Sequence, residues 1–232
     1  MELEQRHLWD VILDAKTSEK ESLDTFMFRF VETYDPHHET PLEAAITRAE
    51  RTEGMPGRAF GYKEYLDDLN TLYVNRRLIV IPKSRQLRIT WWATAAFVWD
   101  SIRHSSRFTT LKSIDRKHSG LGKLNLLWRV QFIVEHLPKC VRPRIVVRRK
   151  DMEIELPDSD SHFFASSQEG DVTRSYTPTG CLDDELAKQP YGEAGYHSIA
   201  PGLGGVGRYI ALSTYTGPGD FFCRMVDDKF EL

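Results

Sequence analysis

Apolar residues in the first 74 positions recur at helical spacing. Leu8, Val11, Ile12 and Ala15 form one stripe, and Leu23, Phe26, Met27, Phe30 and Val31 form a second. Pro41 opens a third helix through Ala49, with Glu43 in its first turn. The stretch from Gly54 to Gly61 carries three glycines and a proline and reads as a linker. Tyr62, Tyr65, Leu66, Leu69 and Leu72 form a fourth stripe. The expectation is a helical subdomain or lid over residues 1–60 and a second unit over 61–232.

The period changes at Arg77. Residues 78–81 (LIVI) are wholly apolar, as in a strand buried on both faces of a parallel sheet. The loop PKSRQLR follows, and TWWATAAFVWDSI is then apolar at helical spacing. Strand, loop and helix in that order open an α/β unit. FTTLKS at 108–113 reads as a second strand, and Leu121 to Leu137 as a helix closed by Pro138. IVVRR and MEIEL read as strands joined by a tight turn, and HFFAS as another strand. GCLDD (180–184) and RYIALST (208–214) each suit a strand that ends at something polar. Trp91, Trp92 and Trp99 are read as core residues of the helix after the first loop.

The chain has 232 residues, 41% hydrophobic and 28% charged, which excludes a disordered or fibrous protein. Its net charge is -3, unlike that of a nucleic-acid binder that is basic throughout. The charge is segregated, however. Residues 71–150 hold 18 basic and 3 acidic side chains, while both flanking thirds are acidic. A phosphate-bearing partner suits the middle third. The plainer alternative is a basic surface covered by an acidic neighbouring segment. Cys140, Cys181 and Cys223 are too widely spaced for a zinc pattern or a disulfide framework. Cys181 reads as a small buried strand residue. The first residues do not resemble a signal peptide, and no apolar run approaches 18 residues. A non-secreted, intracellular protein with no membrane partner is expected.

The first candidate for chemistry is the strand-to-helix loop from Pro82 to Thr90, with Lys83, Arg85 and Arg88. Backbone N–H groups in such a loop and at the following helix start favour anions. Thr90 stands where a P-loop hydroxyl holds magnesium. The pattern GxxxxGK[ST] itself is not matched: Lys83 takes the first glycine position, Arg88 the second, and Ile89 the lysine position. The alternative is a basic surface loop. The second candidate is CLDDE, a strand ending in Asp184 and Glu185. An aspartate there suits a Mg²⁺ shell, and a glutamate suits polarisation of an attacking water. The third is ALST, with Ser213 and Thr214. A strand ending in small hydroxyls can lie between the other two in a parallel sheet and sense a γ-phosphate.

KSRQLRIT, CLDDELA and ALSTYTGPGDFF, in that order, resemble the ATPase domain of large terminase subunits, which package DNA into phage and related capsids. The resemblance covers about residues 62–225. It implies a P-loop NTPase-like α/β fold, a mostly parallel sheet flanked by helices, with ATP and Mg²⁺ as cofactors. Lys83 then matches the loop lysine that reaches the β- and γ-phosphates, and Arg85 the loop arginine that compensates transition-state charge. Ser84, Gln86, Arg88 and Ile89 complete the nucleotide loop. Thr90 and Asp184 match the magnesium ligands, Glu185 the catalytic glutamate, and Ser213 with Thr214 the coupling motif. The partners implied are double-stranded DNA, further copies in a ring, a small terminase subunit and the capsid portal. The implied location is the host cytoplasm, with transient attachment to a capsid.

Arg88 departs from the family, since a glycine there lets backbone approach phosphate. A side chain at positive φ costs roughly 1–2 kcal/mol. The family's C-terminal nuclease is expected to be absent from residues 1–232, either excised or encoded as a separate product, since Asp227, Asp228 and Glu231 are too few and too terminal for its metal site. Arg174 is either a surface residue or one that reaches a neighbour's nucleotide. Arg142, Arg144, Arg148, Arg149 and Lys150 either face a DNA backbone or guard a solvated strand edge. Tyr62 and Tyr65 either pack on adenine or within the protein. Two rival readings of the whole are a catalytically weak or inactive DNA-binding module that keeps the fold, and a helicase-like ATPase.

Overall fold

The computed structural model describes residues 2–34, 64–84, 87–166, 177–205, 207–217 and 219–227. The expected helix Pro41–Ala49, the linker Gly54–Gly61, and Tyr62, Arg85, Gln86 and Arg174 lie outside them.

Two helices, α1 (Glu2–Leu13) and α2 (Glu19–Arg29), precede α3 (Glu64–Asn75). Ser18 caps α2, its hydroxyl accepting the Glu21 N–H. The second apolar stripe is wholly buried; of the first, Ile12 is buried and Leu8 and Val11 are half-buried, with Trp9, outside the stripe, buried beside them. Ala15 falls beyond α1 and is exposed. The α/β portion runs β1 (Leu78–Pro82), α4 (Ile89–Arg103), β2 (Phe108–Lys112), α5 (Arg116–Ser119) and α6 (Leu126–His136). It continues β3 (Val146–Arg148), β4 (Glu153–Leu156), β5 (Ser161–Ala165), β6 (Gly180–Asp184), α7 (Gly192–Ile199), β7 (Arg208–Ser213) and α8 (Phe221–Asp227). Helix α6 starts five residues later than its apolar spacing predicts. Leu124 takes a left-handed conformation (φ 72°) and the chain turns through residues 120–125 before the helix can begin.

The strands form one sheet in the order β1-β7-β6-β2-β5-β4-β3. The first five are parallel, and β4 and β3 join antiparallel. Strand β1 packs on both faces of the sheet, Ile79 and Ile81 on one and Leu78 and Val80 on the other. Only Ile79 is fully buried, because among the described residues β1 pairs with β7 alone and stands at the sheet edge.

Side chains alternate across the sheet, and each face has its own core. Leu182, Ile210, Leu212 and Leu111 join helices α1–α4 and α6 on one face. Cys181, Tyr209 and Ala211 join α7 and α8 on the other. Helix α4 is buried at every position from Ile89 to Ser101, as expected of a helix that is apolar all round. Gly180 makes its close approach possible: a Cβ there would lie 2.5 Å from Phe97 Cε1. Two indoles of α4 satisfy their N–H groups on neighbouring helices. Trp92 Nε1 donates to Asn70 Oδ1 at 2.8 Å and Trp99 Nε1 to Ser22 Oγ at 2.9 Å.

Candidate functional site

Because β1, β7 and β6 are parallel neighbours, their carboxyl ends lie together at one edge of the sheet. The loop after β1 enters α4 through Arg88, which holds a left-handed conformation (φ 55°, ψ 16°) at the helix N-cap. This is the conformation that a glycine supplies cheaply. The loop therefore makes its turn with an arginine in that place. Tyr65 on α3 braces the turn, its hydroxyl donating to the Leu87 carbonyl at 3.0 Å.

Lys83 lies at the centre. Its ammonium donates to Thr90 Oγ1 at 2.9 Å and to Asp184 Oδ1 at 2.5 Å, and lies 3.4 Å from Glu185 Oε1. Thr90 Oγ1 is 3.5 and 3.3 Å from the two Asp184 carboxylate oxygens. Thr90 and Asp184 are buried, so these groups interact with little screening. Glu185 follows the strand in a left-handed conformation (φ 58°), a second non-glycine residue at positive φ beside the first. Its Oε2 lies 2.6 Å from Lys188 Nζ. Burial pushes the Glu185 carboxyl up, but the Lys188 bond and the charges of Lys83 and Lys188 outweigh it and hold the pKa below the usual value.

Ser213 ties the two sides together. The Lys83 N–H donates to its carbonyl at 2.8 Å, and its hydroxyl accepts the Ala187 N–H at 3.2 Å. Strand β7 thus lies between the loop strand and the acidic strand and is bonded to both at its last residue. Thr214 is half-buried one position beyond β7, and its carbonyl accepts the Ser213 hydroxyl. Ser84 is exposed on the loop. The Ile89 side chain packs into the core, leaving only its backbone for the loop.

Three features escape sequence reading. Asp183 is fully buried on the opposite face from Asp184, where it meets Lys112, Tyr209 and Gln189. Arg129 on α6 stacks 4.8 Å over the Trp91 ring and donates to the Leu124 carbonyl. Burial pushes its pKa down to about 10 against the pull of Asp184, so it stays charged at neutral pH. Tyr65 carries a signal in the sequence, its helical stripe, but not the direction of its hydroxyl. Cys181 is buried and its thiol is pushed up by that burial, as suits a packing residue.

The basic residues of the 142–150 segment separate into two groups. Arg142 donates to the Leu137 carbonyl, Arg144 pairs with Asp158, and Arg148 pairs with Glu153 and Glu155. Arg149 and Lys150 stand exposed on the β3–β4 turn. A groove of about 530 Å³ runs between that turn and the loop after α5, lined by Lys117, Leu121, Gly122, Arg149 and Met152. Strand register puts this turn beside the carboxyl end of β5, on the same edge of the sheet as Asp184. No group of three or more His, Cys, Asp and Glu able to hold a metal occurs among the described residues.

No protein-family model matches the chain, and no curated protein matches it. Solved structures do match in fold. The HK97 bacteriophage large terminase superposes with a TM-score of 0.66 at 13% identity, over 91% of this chain and 41% of that one. The large terminase of a thermophilic bacteriophage, in complex with ADP, gives 0.56 at 14% identity, over 68% of this chain and 39% of that one. The ATPase domain of the Thermus phage P74-26 large terminase gives 0.52 at 16% identity, over 64% of this chain and 63% of that one. The chain thus spans less than two thirds of each of these proteins. At such identities the likeness establishes a shared mixed α/β fold, a central sheet with helices on both faces.

Proposed function

We propose that this chain is an ATPase motor module of the large-terminase kind, which hydrolyses ATP to drive double-stranded DNA into a capsid. The observation that carries the reading is the meeting of Lys83, Thr90, Asp184 and Glu185 at one sheet edge, with Ser213 bonded to both sides. The site residues named from sequence take these roles. Lys83 and the backbone at the start of α4 bind the β- and γ-phosphates. Ser84, Arg85, Gln86, Arg88 and Ile89 frame the loop, and Arg85 offsets charge on the transferred group.

Thr90 and Asp184 fit Mg²⁺. Both offer hard oxygen donors, and Mg²⁺ takes few protein ligands when phosphates complete its shell. Bound there, it would neutralise phosphate charge. Glu185 is ionised at neutral pH, since its pKa is depressed, and so can accept a hydrogen bond from the attacking water. Water attacks the γ-phosphorus, and ADP and phosphate leave. Ser213 and Thr214 report that change to the rest of the sheet. Further copies in a ring, a small terminase subunit and a capsid portal are the expected partners, in a host cytoplasm.

The test is DNA-stimulated ATP hydrolysis by the parent, Lys83→Ala and Glu185→Ala. Turnover should fall about 100-fold or more in Glu185→Ala with nucleotide binding retained. Lys83→Ala should lose binding as well. Equal rates in the three proteins would remove the enzyme reading and leave an inert module of this fold.

A further inference from the structure

Strand β6 ends in two aspartates that point to opposite faces of the sheet. Asp184 faces the phosphate loop, and Asp183 faces the second core, where its carboxylate is fully buried. Every partner of Asp183 comes from a different element. Lys112, the last residue of β2 and 2% exposed, sits directly across the ladder and places Nζ 3.0 Å from Oδ2. Tyr209 on β7 donates its hydroxyl to the same oxygen at 2.7 Å. Gln189 Nε2 donates to Asp183 Oδ1 and also to the Asp184 carbonyl at 3.0 Å.

The Gln189 amide therefore spans the acidic turn. Between Asp184 and Gln189 the chain must hold Glu185 at φ 58° and pass through a single 3₁₀ turn, Leu186–Lys188. A left-handed glutamate is costly and persists only where its surroundings fix it. On the phosphate side it is held by the Lys83 contacts and by the Ala187 N–H to Ser213 bond. On the far side the only polar groups engaging Asp183 among the hydrogen bonds described are Lys112, Tyr209 and Gln189.

We infer that the Lys112–Asp183–Tyr209–Gln189 cluster is a positioning device: it holds the strained turn that aims Asp184 and Glu185 at the phosphate loop. The side chains of Lys112, Asp183 and Tyr209 lie on the face of the sheet opposite Asp184. Their effect on chemistry is through the turn, and the turnover part of this inference rests on the ATPase reading.

The variant that tests it is Lys112→Met/Asp183→Leu/Tyr209→Phe, which removes both buried charges and the hydroxyl that would be left without an acceptor. Replacing a buried ion pair by apolar groups of similar volume need not harm stability. Thermal unfolding should stay within about 5 °C of the parent. Amide hydrogen exchange over residues 184–189 should quicken roughly tenfold or more, with exchange in β7 unchanged. ATP turnover should fall roughly tenfold or more while KM moves less than about threefold. Parental exchange across 184–189 would overturn the inference, whatever the turnover. If the triple variant does not fold, Tyr209→Phe decides by the same exchange measurement, with about threefold expected. A parent without ATP turnover would sink the ATPase reading alone, since exchange still reports on the turn.

Discussion

Arg88 sits at φ 55°, where a side chain costs roughly 1–2 kcal/mol relative to glycine. Arg88→Gly should therefore stabilise the folded protein by about 1 kcal/mol and raise the melting temperature by roughly 2–4 °C. Calorimetry of the two proteins checks this, and a lower melting temperature would mean that the guanidinium contributes more than the strain removes. That position was readable: aligning the loop against a phosphate-binding pattern put Arg88 on the glycine. The Lys83 contacts were readable only as types, a lysine and two adjacent carboxylates that begin 101 residues further on. The resemblance pointed to Asp184 as the loop-facing aspartate, but apolar period alone does not say that Asp183 turns to the opposite core. Strand alternation fixes that the two must differ, but the neighbours of β6 decide which faces the loop.

Among elements, α4 holds the helical layer to the sheet through its last turn. The Arg103 guanidinium is almost fully buried. It donates to the Ile12, Asp14 and Thr17 carbonyls and pairs with Glu19 at 3.0 Å. It thereby satisfies the Ile12 and Asp14 carbonyls at the end of α1, which the helix itself cannot, and the Thr17 carbonyl in the turn before α2. Lysine lacks the planar fork that reaches several carbonyls at once. Arg103→Lys should cost about 2–3 kcal/mol, read as loss of melting temperature and faster amide exchange in α1 and α2. The apolar stripe of α2 was legible because its period survives in the fold. The α6 boundary was not, since the chain turns through residues 120–125 before the helix starts, and apolar spacing alone does not register a turn.

At the scale of the whole molecule, the segregation of charge by thirds is partly an internal matter. Basic residues of the middle third pair with acidic residues of the last: Lys83 with Asp184, Lys112 with Asp183, Arg144 with Asp158 and Arg148 with Glu155. Among the described residues, the exposed Lys117 and Arg149 line the groove and Lys150 follows Arg149 on the turn, so this is one place where positive charge is offered to an anionic partner. Lys117→Ala, Arg149→Ala and Lys150→Ala should each weaken binding to a DNA duplex and lower the salt slope by about one, with Arg144→Ala near parental. Fluorescence anisotropy over a salt series reads both, and an equal loss in Arg144→Ala would remove the groove from the interface. Acid should weaken the fold. Glu19, Asp158, Glu185 and Asp220 all have pKa values below their usual ones, so the unfolded chain binds more protons. Their contribution is complete above the ordinary carboxylate range and is lost as pH falls below about 4. Denaturant melts at pH 7 and at lower pH measure that loss.

The sequence by itself marked the strands and the long helices α1 to α4, while it left the short helices α5, α7 and α8 and the start of α6 unmarked. Apolar period is a local property, and a basic strand-to-helix loop, an acidic strand end and a hydroxyl strand end are each written in a few consecutive positions. Tertiary structure decided that β7 lies between β1 and β6, so that three separated segments share one edge. It also put β1 at the margin and separated the cations already paired from those on the groove. Strand order and pairing follow from how two faces of one sheet are covered at once, a condition on the whole chain that no window of residues contains.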